Sequence, residues 1–299
     1  MKVVVTGGLG FIGSHLVDKL VELGHSVIVI DDKSSTLTES YHIVPGVEYY
    51  TNDVADYDVI RPLFDGAEFV FHLAAESRIP PSIENPIKAV KTNVLGTATV
   101  LQCARESGVK RVMYSSTSSA YGNNDAPQAE WQTPDPLNPY SVSKLSGEHL
   151  CKMYTDLFGL ETVVFRYFNV YGPREPLKGT YAPVVGLFLQ MHREGKELTV
   201  TEPGTQKRDF VHVNDVVEAN ILAMDAKLTS QDFGRPINIG TSKTYSILKL
   251  AKLISNDIRM VPARAGEAKI TQAVIHLAKK LLNWEPKESI EEYIRQSMK

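Results

Sequence analysis

Tyr140 and Lys144 stand four residues apart in Tyr140-Ser141-Val142-Ser143-Lys144, directly after Asn138-Pro139. In a helix that spacing puts both side chains on one face, one turn apart. A phenol with a pKa of about 10 is a poor base at neutral pH, and bringing it to about 7 takes roughly 4 kcal/mol. Two close cations in a shielded pocket can supply that by favouring the phenolate. An isolated pair of this kind is ordinarily an exposed aromatic beside a solvated lysine, so its meaning depends on its surroundings. Ser115-Ser116-Thr117-Ser118-Ser119-Ala120-Tyr121-Gly122 supplies a second chemical cluster. Hydroxyls at the end of a strand can bind a sugar oxygen and relay a proton to Tyr140; elsewhere they would be a polar turn.

The surroundings are set by Val3-Val4-Val5-Thr6-Gly7-Gly8-Leu9-Gly10-Phe11-Ile12-Gly13-Ser14-His15-Leu16. A β-branched run feeds a glycine-rich turn and an apolar helix follows at once. The glycines let backbone approach a pyrophosphate, and the helix N-terminus offers unpaired N–H groups and a positive dipole end. A glycine pattern alone is weak, but Asp31 closes the next strand-like run, Ser26–Ile30, where a ribose-binding carboxylate is needed. Asp31 is expected to accept ribose hydrogen bonds and repel a 2′-phosphate, a repulsion that Lys33 softens. The reading is NAD, and its oxidised nicotinamide is the second cation beside Tyr140.

Segments of the first 165 or so residues alternate between strand-like and helix-like. Strands are expected at Val3–Thr6, Ser26–Ile30, Val47–Tyr50, Glu68–His72, Arg111–Ser115 and Thr162–Phe165, and helices notably at Ile83–Ser107 and Asn138–Phe158. Such alternation predicts an α/β fold, a doubly wound parallel sheet covered on both faces, with ligands beyond the C-terminal strand ends. After Asn169 the texture changes to loops and short elements. This divides the chain into a dinucleotide domain over 1–168 and a smaller mixed α/β substrate domain over 169–299, with 212–240 returning to the first.

With 299 residues, 43% hydrophobic and 22% charged, the composition is that of a water-soluble globular protein. A net charge of -3 without a dense basic block argues against a nucleic-acid surface. Cys103 and Cys151 are too few for a disulfide framework or a metal cluster, and no metal is expected. The chain enters its first strand directly after Met1-Lys2, and no apolar run approaches the ~18 residues of a membrane span. The expectation is a cytoplasmic protein with no membrane partner.

Together these motifs resemble the extended short-chain dehydrogenase/reductase family, and within it the nucleotide-sugar epimerases and dehydratases. The likeness runs nearly the length of the chain. It is carried by Thr6–Gly13, His72-Leu73-Ala74-Ala75, Asn93 within Thr92–Thr97, Tyr140–Lys144, Arg166-Tyr167-Phe168-Asn169, Arg208-Asp209-Phe210-Val211-His212-Val213 and Asn238-Ile239-Gly240. The resemblance implies a Rossmann-type sheet and assigns roles residue by residue. Gly7, Gly10, Phe11, Ile12 and Gly13 line the NAD pyrophosphate. Asp31, Asp32, Lys33 and Ser34 surround the adenosine ribose, and Asp53 and Val54 the adenine. Leu73, Ala74, Ala75, Asn93, Ser115 and Phe168 flank the second ribose and nicotinamide. Thr117, Tyr140 and Lys144 are the catalytic set, and Asn169, Arg208, Arg264 and Glu267 hold the UDP half of the substrate. Thr271 faces the sugar C2 substituent, and its small size leaves room for an N-acetyl group.

Three departures bear on function. Arg78 and Pro81 stand where many relatives carry Ser and a basic residue. Val274 and Leu277 replace a commonly acidic and a commonly basic position. Ser118 and Ser119 replace the acid-bearing pair that follows the threonine in related dehydratases and decarboxylases. The resemblance therefore implies a UDP-hexose 4-epimerase working through a 4-keto sugar, in a homodimer joined by the helices over Ile83–Ser107 and Asn138–Phe158. Other 4-keto chemistry (dehydratase, decarboxylase or reductase) is the alternative, with a non-catalytic NAD-binding regulator further off.

Overall fold

The computed structural model describes residues 1–35, 40–177, 182–263 and 268–299. Its centre is a seven-stranded sheet in the order β11-β6-β5-β4-β1-β2-β3. The first half runs β1 (Lys2–Thr6), α1 (Phe11–Glu22), β2 (Ser26–Ile30), β3 (Glu48–Tyr50), α2 (Tyr57–Ile60) and β4 (Phe69–His72). The helical stretch α3 (Ile79–Glu84), α4 (Pro86–Val90) and α5 (Gly96–Glu106) then leads to β5 (Arg111–Thr117), α6 (Pro139–Phe158) and β6 (Glu161–Tyr167). All six pairings in this sheet are parallel.

Side-chain alternation explains why the sheet is covered twice. Val3 and Val5 of β1 join one core with Leu16, Val17 and Leu20 of α1, whereas Val4 joins another with Val100, Leu101 and Ala104 of α5. A strand buried on both faces reads as an unbroken apolar run, as Val3-Val4-Val5 does. The chain order reverses between β1 and β4, the switch point where a doubly wound sheet opens a crevice at its strand ends.

Beyond β6 come β7 (Val170–Tyr171), α7 (Val184–Arg193), β8 (Leu198–Thr201), β9 (Lys207–Asp209), β10 (Val211–His212) and α8 (Val213–Asp225). They are followed by β11 (Pro236–Ile239), β12 (Thr244–Ser246), α9 (Ile247–Lys252), β13 (Ile258–Val261), α10 (His276–Leu282) and α11 (Ile290–Ser297). β11 pairs with β6 in the main sheet, and α8 packs on α1. β8 and β13 form their own parallel pair over a third core that holds Phe188, Leu198, Val200 and Leu250. No helix of the described residues is long and apolar enough to cross a membrane.

Two differences from the sequence reading have physical causes. The helix expected over Ile83–Ser107 begins earlier, at Ile79, where Pro80 and Pro81 fit the first turn. It breaks at Asn85-Pro86, with the Asn85 side chain accepting the Lys88 N–H, and widens into a π turn over Lys91–Leu95. β5 and β6 each run two residues further than expected, to Thr117 and Tyr167, because they pair along that whole length. Ser115, Ser116 and Thr117 thus sit on the strand itself.

Candidate active site

The crevice at the switch point is a cavity of about 570 Å³. Gly7, Gly10, Phe11, Ile12 and Gly13 form one wall. A Cβ on Gly13 would come 2.1 Å from the Gly7 carbonyl oxygen, so only glycine lets α1 close onto the turn. The N-cap of α1 is Gly10, which supplies no side-chain cap, and its first turn faces the cavity. That is a fit for a pyrophosphate.

Asp31, at the end of β2, lies on the same wall. Its Oδ2 accepts the Leu9 N–H (3.1 Å) and its Oδ1 the Lys33 N–H (2.9 Å), fixing the carboxylate for a ribose diol. Asp32 and Ser34 are also on the wall, and Asp32 Oδ1 accepts the Ser34 N–H. Lys33 is not among the lining residues; it contributes backbone, in a left-handed conformation (φ 56°). Val54 lines the cavity together with Asn52, while Asp53 is turned to a 2.8 Å ion pair with Lys91.

Leu73, Ala74 and Ala75 leave β4 along the cavity floor. His72 fixes their start. The Thr97 hydroxyl donates to the Asn93 carbonyl, so it accepts from His72 Nε2 (2.9 Å), and His72 Nδ1 accepts from the Thr6 hydroxyl (2.7 Å). This neutral ring agrees with a pKa pushed down to about 3 by burial, with the Lys144 charge adding to the effect. Asn93 and Phe168, which the resemblance placed beside the second ribose and nicotinamide, are not among the residues lining the cavity. Asn93 is wholly buried in the π turn, bridging the backbone of Glu76 and the Ser143 hydroxyl. Phe168 is in the core against Tyr121, and Tyr167 takes the place on the wall, its hydroxyl 3.2 Å from that of Ser115.

Ser115, Thr117, Tyr140 and Lys144 converge on the cavity from β5 and α6. The start of α6 is held by an Asn138–Ser141 capping box, and the Tyr140 N–H donates to Ser82 Oγ of α3 (3.0 Å). α6 can lie this close to β5 because residue 147 is glycine: a Cβ there would meet the Tyr114 hydroxyl at 2.1 Å. Burial raises the Tyr140 phenol above its ordinary value, while the Thr117 hydroxyl and the Arg78 charge oppose that rise. Lys144 is pulled down to about 7 by burial. Its Nζ lies 4.3 Å from the centre of the Tyr114 ring.

A second chamber of about 300 Å³ adjoins the first and shares Ile79, Ser118, Ser119, Asn169 and Val184 with it. Arg208 and Thr271 line this second chamber, and Asn169 borders both. Asn169 Nδ2 donates to the Thr271 hydroxyl (3.1 Å) and to the Asp209 carbonyl (2.7 Å). Arg264 and Glu267 lie outside the described residues.

Several supporting groups had been given no role in the site by the sequence reading. Glu148 and Arg166 form a buried pair, with Arg166 Nε and Nη2 on the two carboxylate oxygens (2.9 and 2.7 Å), and Ser116 donates to Glu148. Asp209, fully buried, accepts three backbone N–H groups, from Thr241, Ser242 and Ala273, behind Arg208. Arg78 lines the cavity beside Tyr140. Arg78 stood out in the sequence as a departure, and Arg166 and Asp209 stood within matched motifs, whereas Glu148 carried no signal.

A profile of the NAD dependent epimerase/dehydratase family matches residues 3–240. The putative UDP-glucose 4-epimerase of Methanocaldococcus jannaschii is 34% identical, covering 98% of this chain and 96% of its own. UDP-glucuronic acid decarboxylase 1 of Xenopus tropicalis is 32% identical over 99% of this chain and 71% of its own. The crystal structure of UDP-glucose 4-epimerase from Thermotoga maritima, solved with UDP-glucose, superposes with a TM-score of 0.93 at 35% identity, covering 100% of this chain and 97% of the other.

Proposed function

Since the chain belongs to the NAD-dependent epimerase/dehydratase family, we propose that it inverts C4 of a UDP-hexose through a 4-keto sugar. NAD is its cofactor, and when bound it supplies a reversible hydride acceptor at C4. The chain's own residues do the rest. Tyr140 takes the proton of the 4-hydroxyl, directly or through Thr117, and returns it at the end of the cycle. Lys144 holds positive charge on the same helix face. Arg208 and Asn169 hold the UDP half in the second chamber, planar guanidinium being well matched to a diphosphate. The keto sugar then turns about its diphosphate linkage and presents its other face. The wall formed by Gly7, Gly10, Gly13 and Asp31 would hold NAD through the whole cycle, since the completed reaction would leave the cofactor unchanged.

The observation that carries this reading is the meeting of Thr117, Tyr140 and Lys144 on one cavity that opens into the chamber holding Arg208. The related dehydratases and decarboxylases need a further acid after the threonine, and here the next two residues are Ser118 and Ser119. The test is purified protein supplied separately with UDP-glucose, UDP-N-acetylglucosamine and UDP-glucuronate, followed by proton NMR of the anomeric region. A new 4-epimer supports the reading. Release of carbon dioxide or a dehydrated sugar replaces it.

Thr271 bears on the choice of hexose. A threonine leaves space for an N-acetyl group, so N-acetylated UDP-hexoses are accepted. Thr271→Tyr fills that space and is expected to abolish turnover of UDP-N-acetylglucosamine while leaving UDP-glucose turnover, if present, largely intact. Equal loss of both substrates, or of neither, removes Thr271 as the gate.

We assign the protein to the cytoplasm on its two buried free thiols. We also assign it a homodimer. Ile83, Ile87, Val90 and Leu95 on the α3–α5 stretch, and Val142, Met153 and Leu157 on α6, are large apolar side chains left exposed. Two helical stretches with such faces suit a four-helix contact between copies. Sedimentation equilibrium is expected to give twice the chain mass, and a monomer at micromolar concentration would withdraw the assignment.

A further inference from the structure

We infer that Glu175 is a positioning residue for the UDP half of the substrate: its buried side chain, wedged against Gly186, sets where the first turn of α7 stands between the two chambers. The inference rests on the UDP-hexose reading proposed above for what that turn borders. Val184 lines both chambers, with Pro183 and Val185 on the wall of the first and Leu187 and Phe188 on that of the second. A small displacement of this turn therefore changes the border between the chamber of Tyr140 and the chamber of Arg208.

The wedge is built from the backbone outward. Glu175 is 5% exposed, and both carboxyl oxygens are buried with no partner in good hydrogen-bond geometry among the described residues. What they meet is the start of α7. A Cβ on Gly186 would stand 2.3 Å from Glu175 Oε1, 2.6 Å from Cδ and 2.7 Å from Cγ. Only glycine at the third position of that helix leaves the carboxyl its space. A buried carboxylate without a partner is costly. Burial lifts the pKa of this one to about 8, so at neutral pH it is mostly the neutral acid and acts by its shape.

The residues just before it are fastened to the cofactor side. Arg174 has a left-handed backbone (φ 62°), which a non-glycine residue keeps only where its surroundings impose it. Its Nη2 donates to Asp18 Oδ2 of α1 at 2.7 Å, and the Pro173 carbonyl accepts from His15 Nε2 of α1 at 2.8 Å. The next residue, Glu175, packs on α7. α1 is the helix whose first turn faces the pyrophosphate wall. The wedge is thus held from the cofactor domain and bears on the border of the substrate chamber.

The test titrates NAD-bound protein calorimetrically with UDP as the probe, beside kcat and KM for the UDP-hexose turned over. Glu175→Ala is expected to weaken UDP binding about tenfold, since a displacement of about 1 Å can cost more than that. KM should rise by the same factor with kcat nearly kept, the mark of lost binding rather than lost chemistry. Bound NAD should remain. Gly186→Ala forces the same turn to move from the other side and is expected to lose as much. Glu175→Gln, which keeps the shape, should restore wild-type affinity. Glu175→Ala combined with Gly186→Ala should bind UDP better than either alone, because the added methyl enters the space the carboxyl leaves. The inference is overturned if Glu175→Ala lowers the urea midpoint but not UDP affinity, if it loses NAD and UDP alike, or if the double variant is no better than the singles. Should Glu175→Ala not fold, Glu175→Asp, which withdraws the carboxyl by one methylene, replaces it under the same criterion. Wild-type protein that binds no UDP overturns the UDP-hexose reading and this inference together. Wild-type protein that binds UDP, with variants that match it, overturns this inference alone.

Discussion

Tyr140→Phe is expected to lower turnover about 10²–10⁴-fold, the usual worth of a positioned general base, while fold and bound NAD are retained. The separation of the two outcomes follows from how the residue is held. Its contact with α3 is made by the backbone N–H, which donates to Ser82 Oγ and is unaffected by loss of the phenolic oxygen. The capping box that starts α6 uses Asn138 and Ser141. What disappears is only the phenolic oxygen, on a residue that lines the cavity together with Thr117. A steady-state assay beside bound-NAD absorbance checks this. Epimerisation within tenfold of wild type would take Tyr140 out of the mechanism.

The second large effect is on stability. Glu148→Ala is expected to cost about 3–5 kcal/mol, the range seen when one member of a buried ion pair is removed. Arg166 is 2% exposed and gives both Nε and Nη2 to Glu148, so its charge is stranded in the core when the carboxylate goes. Stacking of the guanidinium near the Tyr121 ring, 4.6 Å from its centre, does not replace a counter-charge. Replacing both partners by methionine should recover most of the loss, because the desolvation penalty disappears with the pair. The urea midpoint of each variant measures this. A single-variant loss below 1 kcal/mol would mean that water reaches Arg166. The effect also reaches the site: Ser116, which donates to Glu148, directly precedes Thr117 on β5.

The parts of this protein legible in its sequence are those set by neighbours along the chain. The strand, glycine turn and helix over Val3–Leu16 announce a phosphate cradle because each piece is needed within a few residues of the next. Tyr140 and Lys144 share a helix face by spacing alone, and the cavity has both on its wall. The apolar run of β1 already implied a sheet covered on both sides. Element ends were less legible. β5 reaches Thr117 only because β6 pairs with it that far, and the expected long helix breaks where Asn85 caps and Pro86 follows.

Only the tertiary structure decided which distant groups meet. Phe168 and Asn93 look like site residues by motif, yet Phe168 packs behind the wall and Asn93 bridges Glu76 and Ser143. Arg78 reads in the sequence as an oddity of a loop, and in the fold it lines the cavity that Tyr140 also lines. Glu148 and Arg166 come from facing surfaces of α6 and β6, and nothing in their separate segments announces an ion pair. The reason is physical. Propensity and spacing act over one or two turns, whereas a charge acts on whatever the packing of sheet and helices brings within a few ångströms.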